Sequence, residues 1–181
     1  AKNISILGEP GACLESPDFI NGIRNVSGIL NVRGSNVIIR NLIFVGPGAV
    51  DLDADDPLGI EGGTNVWVDH CTFSDGRDGN FDIKGGSNYV TVSWCKFYYT
   101  GKSTGHRYCN LLGASDNASG TDKEALKITF ALNWWAENVT ERMPRVRFGA
   151  VHCVNNLYRS PGNNFCIRAG MEANIYVDQN A

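Results

Sequence analysis

Long apolar runs are missing from this chain of 181 residues. No stretch approaches the ~20 consecutive apolar residues that a membrane-spanning helix needs. Positive charge is not in excess either. Sixteen Lys and Arg against 19 Asp and Glu leave a formal net charge of −3, which argues against general affinity for nucleic acid or for an anionic membrane surface. The six cysteines (Cys13, Cys71, Cys95, Cys109, Cys153, Cys166) include no C-x-x-C pair, so a structural zinc site is not expected. They permit disulfides and point toward an oxidising compartment. A basic segment followed by an apolar one is absent at the start, so a secreted chain would be read here without its leader. Helix signals are few, whereas Gly, Asn and Asp turn residues are plentiful. One domain over residues 1–181 with an ordinary core is the expectation, since 43% of residues are hydrophobic.

What the chain does have is repetition. Six segments share a shape: "NVIIRNLIF", "NVWVDHCTF", "VTVSWCKF", "ITFALNWW", "VHCVNNLY" and "NIYVDQN". Each is a short β-branched or aromatic run that reaches a small polar residue, usually followed two residues later by a large apolar one. The polar positions align as Asn41, Cys71, Cys95, Asn133, Asn156 and Asn180, and three of their five separations are 23 or 24 residues. Strand-rich periods of roughly 20 to 50 residues mark solenoids, propellers or arrays. A propeller blade of four strands needs about 40 or more residues, too long for this period. One coil of a parallel β-helix fits better. Equivalent residues would then stack about 4.8 Å apart, and repeated Asn positions would form an internal hydrogen-bonded ladder. Cys71 and Cys95 would lie one above the other, able to bond but equally at home as small buried thiols.

Register along such coils gathers charge. Counted from each ladder residue, Asp78 and Asp82 follow in the second segment, Lys102 in the third and Arg142 in the fourth. Two carboxylates, an ammonium and a guanidinium thus fall on one side of consecutive coils. The insertions "DLDADDPLG" and "GKSTGHRYCNLLGASD" emerge nearby, and long loops on one face are where solenoids keep their sites. The stretch "ENVTERMPRVRFG" adds Arg145 and Arg147 beside Arg142. Its alternating Arg-Val-Arg-Phe reads either as a solvated strand face or as a site for an anion, because guanidinium grips carboxylates through a fixed fork of donors.

The segments "NVWVDHCTF", "DGNFDIKGGSNYVTVSWCKF", "LLGASD" and "ERMPRVRFGAVHCVNNLY" resemble the pectate lyases of family 1 of the polysaccharide lyases. The resemblance runs from "ISILG" to "EANIYV" and rests chiefly on the V-W-x-D-H and R-x-P-x-x-R motifs in that order. It implies an all-β, right-handed, single-stranded parallel β-helix with long loops on one side forming a cleft. It also implies a secreted, calcium-dependent lyase acting on polygalacturonate, the demethylated form of pectin, by β-elimination. The products would carry 4-deoxy-galact-4-enuronosyl ends, and a monomer is expected. Carried over residue by residue, the metal ligands are Asp56, Asp78 and Asp82. Lys102 and Arg147 bind the substrate carboxylate, and Arg142 is the base that takes the C5 proton. Ala54 stands where some relatives have a further Asp, with Asp53 and Asp55 on either side, and "STGHRYCN" is inserted after the Lys. A guanidinium is ordinarily protonated, so an arginine base implies an alkaline optimum.

Other residues read as structural. Asp69 and His70 imitate a catalytic dyad but belong inside the coils, His106 at the surface and His152 in the core. Trp67 and Trp94 are expected to stack in or near the core, and Trp134 and Trp135 to pack under a loop or touch sugar. Two rival functions stand beside the lyase. A calcium-independent pectin lyase would share Arg142 but have no use for Asp56, Asp78 and Asp82 against a neutral ester. A non-catalytic carbohydrate-binding solenoid would have no use for Lys102, Arg142 and Arg147 together.

Overall fold

A computed structural model describes residues 2–181. The chain forms the expected parallel β-helix. Its strands pair in parallel between successive coils, apart from one antiparallel pair, Phe19–Ile20 with Ile23–Arg24. The single helix among the described residues is the short Ser119–Asp122.

Three sheets wrap the core. The long-strand sheet stacks Lys2–Leu7, Ser35–Arg40, Thr64–Asp69, Asn88–Ser93 and Lys127–Ala131, then the second half of Arg145–Val154 and part of Arg168–Asp178. A short-strand sheet runs Cys13–Glu15, Ile43–Val45, Thr72–Ser74, Lys96–Tyr98, Trp134–Trp135 and Leu157–Tyr158. The third, the cleft sheet, stacks Leu30–Val32, Leu58–Glu61, Phe81–Lys84, Leu111–Leu112 and the start of Arg145–Val154. Strand Arg145–Val154 is long because it turns the corner between two sheets, and Gly149 (φ +89°) sits at the bend. A Cβ at Gly149 would lie 2.5 Å from that of Leu126, so only glycine fits there.

Alternation along each strand decides what is buried. In Thr64–Asp69, Val66 and Val68 point inward while Asn65 and Trp67 face out. Because each coil repeats this pattern in register, inward side chains form continuous columns. Phe44, Phe73, Phe97, Trp135 and Tyr158 stack ring on ring, with neighbouring centroids 4.8–5.4 Å apart. That spacing matches the strand separation, so the aromatic column gains stacking energy at no cost in register.

The polar ladder is real but differs from the sequence alignment by one residue at its start. Pairing of Thr72 with Ile43 places Cys71 over Leu42, not over Asn41. The inward row is therefore Leu42, Cys71, Cys95, Asn133, Asn156 and Asn180. Asn41 belongs to the preceding row, with His70, Trp94, Leu132, Asn155 and Gln179, every one at φ between +50° and +60°. Left-handed backbone suits Asn at low cost, which explains why two of these corners carry it. The Asn133 amide donates to Asn156 Oδ1 (3.1 Å) and that of Asn156 to Asn180 Oδ1 (3.0 Å). All six cysteines are free thiols.

Trp67 and Trp94 are not core residues. They are 39% and 56% exposed, because Trp67 alternates outward and Trp94 occupies a left-handed corner. His152 pairs with Thr129 on the outer side of the long-strand sheet and is half-buried. Asp69 is internal as expected, held by Arg40, His70 and the Ser93 hydroxyl, while His70 itself lies at the surface. Of the adjacent tryptophans, Trp135 is in the core column and Trp134 faces outward beneath Lys96.

Asn156→Ala removes an acceptor from both the backbone and side-chain N–H of Asn133 and a donor from Phe130 O and Asn180 Oδ1. Stranding several buried groups should cost roughly 2–4 kcal/mol, read as a lowered denaturant midpoint. An unchanged midpoint would show that the ladder is not stabilising.

Candidate active site

The loops of the cleft sheet enclose a cavity of about 640 Å³ whose lining includes Gly28, Asn31, Asp53, Asp55, Asp56, Gly59, Asp78, Asp82 and Lys84. Asp82 and Lys84 alternate outward from strand Phe81–Lys84, whose Phe81 and Ile83 are core residues. Asp82 pairs with Gly59 on the coil before it. The missing side chain at Gly59 leaves space beneath the Asp82 carboxylate. Asp56 is buried, and its carboxylate lies against Gly79, where a Cβ would come within 2.9 Å of Asp56 Oδ1.

Buried Asp56 and half-buried Asp82 form a pair of like charge. Burial, then the charge of Asp82 and a hydrogen bond shared with it, push the Asp56 carboxyl well above the ordinary carboxylate range. Asp82 is also raised by burial, less strongly, because the proton on Asp56, the Leu111 N–H (2.8 Å) and nearby Arg142 favour its charged form. Asp56 Oδ2 is buried without a hydrogen-bond partner. Two carboxylates and an orphaned oxygen in one cavity call for either a proton or a cation.

Asp78 lines the same cavity but turns toward His106. His106 Nδ1 is 2.8 Å from Asp51 Oδ1, and its Nε2 is 2.7 Å from Asp78 Oδ1, at an ion-pair distance without hydrogen-bond alignment. Its side chain is only 15% exposed, so His106 is not the surface residue its loop suggested. Burial alone would lower its pKa, but the contacts with Asp78 and Asp51 outweigh this and raise it. Among the described residues, no three Asp, Glu, His or Cys side chains converge closely enough to enclose a metal ion. Asp56, Asp78 and Asp82 share the cavity without closing on one point.

Of the predicted cationic residues, Arg142 and Arg147 lie beside this cavity without lining it. Arg142 has a left-handed backbone (φ +61°) and lays its guanidinium over the Tyr108 ring, 4.6 Å from the centroid, with Nε buried and unpartnered. Arg147 is fastened by Asp116 (2.7 Å) and by the carbonyl of Gly113 (2.8 Å). Its neighbour Ala114 lines the cavity. Arg145 is lowered in pKa by burial and by repulsion from Arg147, Arg142 and Arg168, so the arginines form one positive cluster. Lys102 stands apart, exposed and leaning toward Glu15 Oε1 at 3.8 Å. Lys84, His106, Tyr108 and Asp116 were not singled out from the sequence. Only Lys84 carried a usable signal, two residues after Asp82 on the same strand face.

Known proteins give the fold its context. A sequence model of the family described as pectate lyase matches residues 13–181. A pectate trisaccharide-lyase of Thermotoga maritima is 38% identical over 168 residues, 87% of this chain and 41% of its own. A probable pectate lyase B of Aspergillus terreus is 40% identical over 165 residues, covering 87% and 45%. A solved pectate lyase variant from Xanthomonas campestris superimposes with a TM-score of 0.73 at 26% identity, over 97% of this chain and 52% of that one. The chain spans about half the length of the relatives it matches.

The raised carboxyl of Asp56 sets a pH dependence. A group whose folded pKa is raised contributes stability below its unfolded value (~4) and loses that contribution as pH rises through the folded value. In chelator, the native chain should therefore lose stability relative to Asp56→Asn as pH rises above ~4. Denaturant midpoints across that range measure it, and parallel curves for the two chains would contradict it.

Proposed function

Because the chain belongs to the pectate lyase family, we propose that it cleaves polygalacturonate by calcium-dependent β-elimination, with Arg142 as the base. The observation that carries the calcium reading is the carboxylate pair of buried Asp56 and half-buried Asp82, with the unpartnered Asp56 Oδ2. An all-oxygen carboxylate set suits a hard cation of high coordination number, and the cavity leaves room for further oxygen ligands from water and substrate. Asp56 and Asp82 would hold the ion, with Asp78 joining once its carboxylate leaves His106. Bound there, calcium would neutralise a uronate carboxylate and acidify the adjacent C5–H.

This chain's own residues supply the rest. Arg147, fixed by Asp116 and Gly113 O, is positioned to receive a uronate carboxylate, and Lys102 to add a second cation when it leaves Glu15. Drawing the carboxylate charge into these contacts stabilises the enolate-like state that forms as the C5 proton departs. Arg142, entering the step as the neutral guanidine that alkaline medium favours, accepts that proton and becomes guanidinium. The Tyr108 ring supports its guanidinium, and the unpartnered Nε shows that its hydrogen bonding is incomplete in the resting fold. The C5–H electron pair becomes the C4–C5 double bond as the C4–O4 bond breaks, and the leaving oxygen takes up a proton. No water adds across the bond. A secreted location fits a polymeric substrate.

Growth of the ultraviolet absorbance of the unsaturated uronide, followed on polygalacturonate at alkaline pH, tests the reading. Signal with calcium, none in chelator, and a loss of at least about a hundredfold in Arg142→Ala is expected for removal of an acid–base group. Signal only on methylated pectin in chelator would make the protein a pectin lyase. Silence on both substrates would favour a binding solenoid.

A further inference from the structure

A second groove, of about 410 Å³, lies on the outer face of the long-strand sheet, away from the cleft sheet that carries Asp82. Its walls are the rings of Trp67 and Tyr89, and its floor includes Ile38 and the amides of Asn36 and Asn65. Both rings are exposed, Trp67 by 39% and Tyr89 by 58%. Neither is loose. Trp67 Nε1 donates to Ser93 Oγ (2.9 Å), which donates to the buried Asp69 (2.6 Å).

Tyr89 occupies a position that register makes conspicuous. Pairing of Asn88 with Thr64 and of Val90 with Val66 sets Tyr89 over Asn65, which in turn lies over Asn36 and Asn3. The three asparagines have φ of 54–57° and are joined by amide hydrogen bonds of 2.9 and 3.2 Å. Tyr89 keeps the same left-handed backbone, φ +53°, where a bulky aromatic is strained and Asn is not. Its hydroxyphenyl ring faces solvent, so internal packing does not account for it.

Each ring also carries a cation. The Arg40 guanidinium lies 5.8 Å from the Trp67 ring and the Lys127 ammonium 5.4 Å from the Tyr89 ring. Arg40 is paired with Asp69, whereas Lys127 makes no ion pair among the described residues. Flat rings suit the C–H face of a pyranose, amides suit its hydroxyls, and cations beside the rings suit a carboxylate.

We propose that this groove is a second binding surface for a polyuronate chain, distinct from the cleft, that keeps long polymer near the catalytic face. The proposal rests on the polygalacturonate reading above for its ligand and not for its geometry. Tethering one stretch of polymer raises the local concentration of the rest, so the effect belongs to long chains and not to short oligomers.

Gel electrophoresis through immobilised polygalacturonate in chelator tests it, with galactan gels as the neutral control. Tyr89→Asn matches the Asn rungs beneath it and should keep or raise the unfolding midpoint, so lost binding cannot be ascribed to misfolding. Tyr89→Asn combined with Trp67→Ala should weaken retardation about tenfold, while turnover of a trisaccharide substrate stays within about twofold. Unchanged retardation in both variants, or equal retardation in galactan, would overturn the proposal. Retardation lost with the groove in a chain that cleaves nothing would support it while removing the lyase reading.

Discussion

Parallel pairing between successive coils constrains everything else in this molecule. Each inward side chain meets its equivalents about 4.8 Å above and below, so any residue type that tolerates stacking on itself becomes a column. Phe44, Phe73, Phe97 and Trp135 do so through their faces, and Asn133, Asn156 and Asn180 through amides that both donate and accept. Carboxylates do not tolerate it. Asp82 stands over Gly59 and Asp56 meets it from the loop three residues before that glycine; there burial opposes the ionisation of both, and repulsion adds to it at Asp56. The fold thus places an unfavourable charge pair at its cleft, the kind of local conflict that functional sites maintain and a cation relieves.

Much of this architecture was legible in the sequence because the repeat is short and the ladder positions carry small polar residues. Asn133, Asn156 and Asn180 fall on the inward row as read. Asn41 misled by one position, since "RNLIF" offers Asn where other segments put Cys, and only strand pairing distinguishes an inward rung from a left-handed corner. Trp67 and Trp94 were read as stacking in or near the core because they fall at adjoining repeat positions. Alternation from the buried Val66 and Val68 would have turned Trp67 outward, but a positive φ at Trp94 has no signature in its residue type.

The candidate site was legible in part. Asp56, Asp78 and Asp82 do line one cavity, and Arg142 and Arg147 flank it. Counting from the ladder had set Asp78, Asp82 and Arg142 on one side of the coils, whereas Asp56 was visible only through the family motif. His106 was read as a surface residue and Tyr108 was not read at all, because both arrive on an insertion whose path depends on tertiary packing. Yet they shape the site directly: His106 contacts Asp78, and Tyr108 supports Arg142. Lys102 leans toward Glu15, apart from the cavity that holds the carboxylates.

A crystal structure of Arg142→Ala with calcium and a galacturonate oligomer tests the central claim most directly, since the substrate would survive to be seen. The account predicts an ion held by Asp56, Asp78 and Asp82, with Asp78 released from His106 and a uronate C5 facing the vacated side chain at position 142. An ion bound elsewhere, or an oligomer whose C5 lies away from position 142, would contradict it.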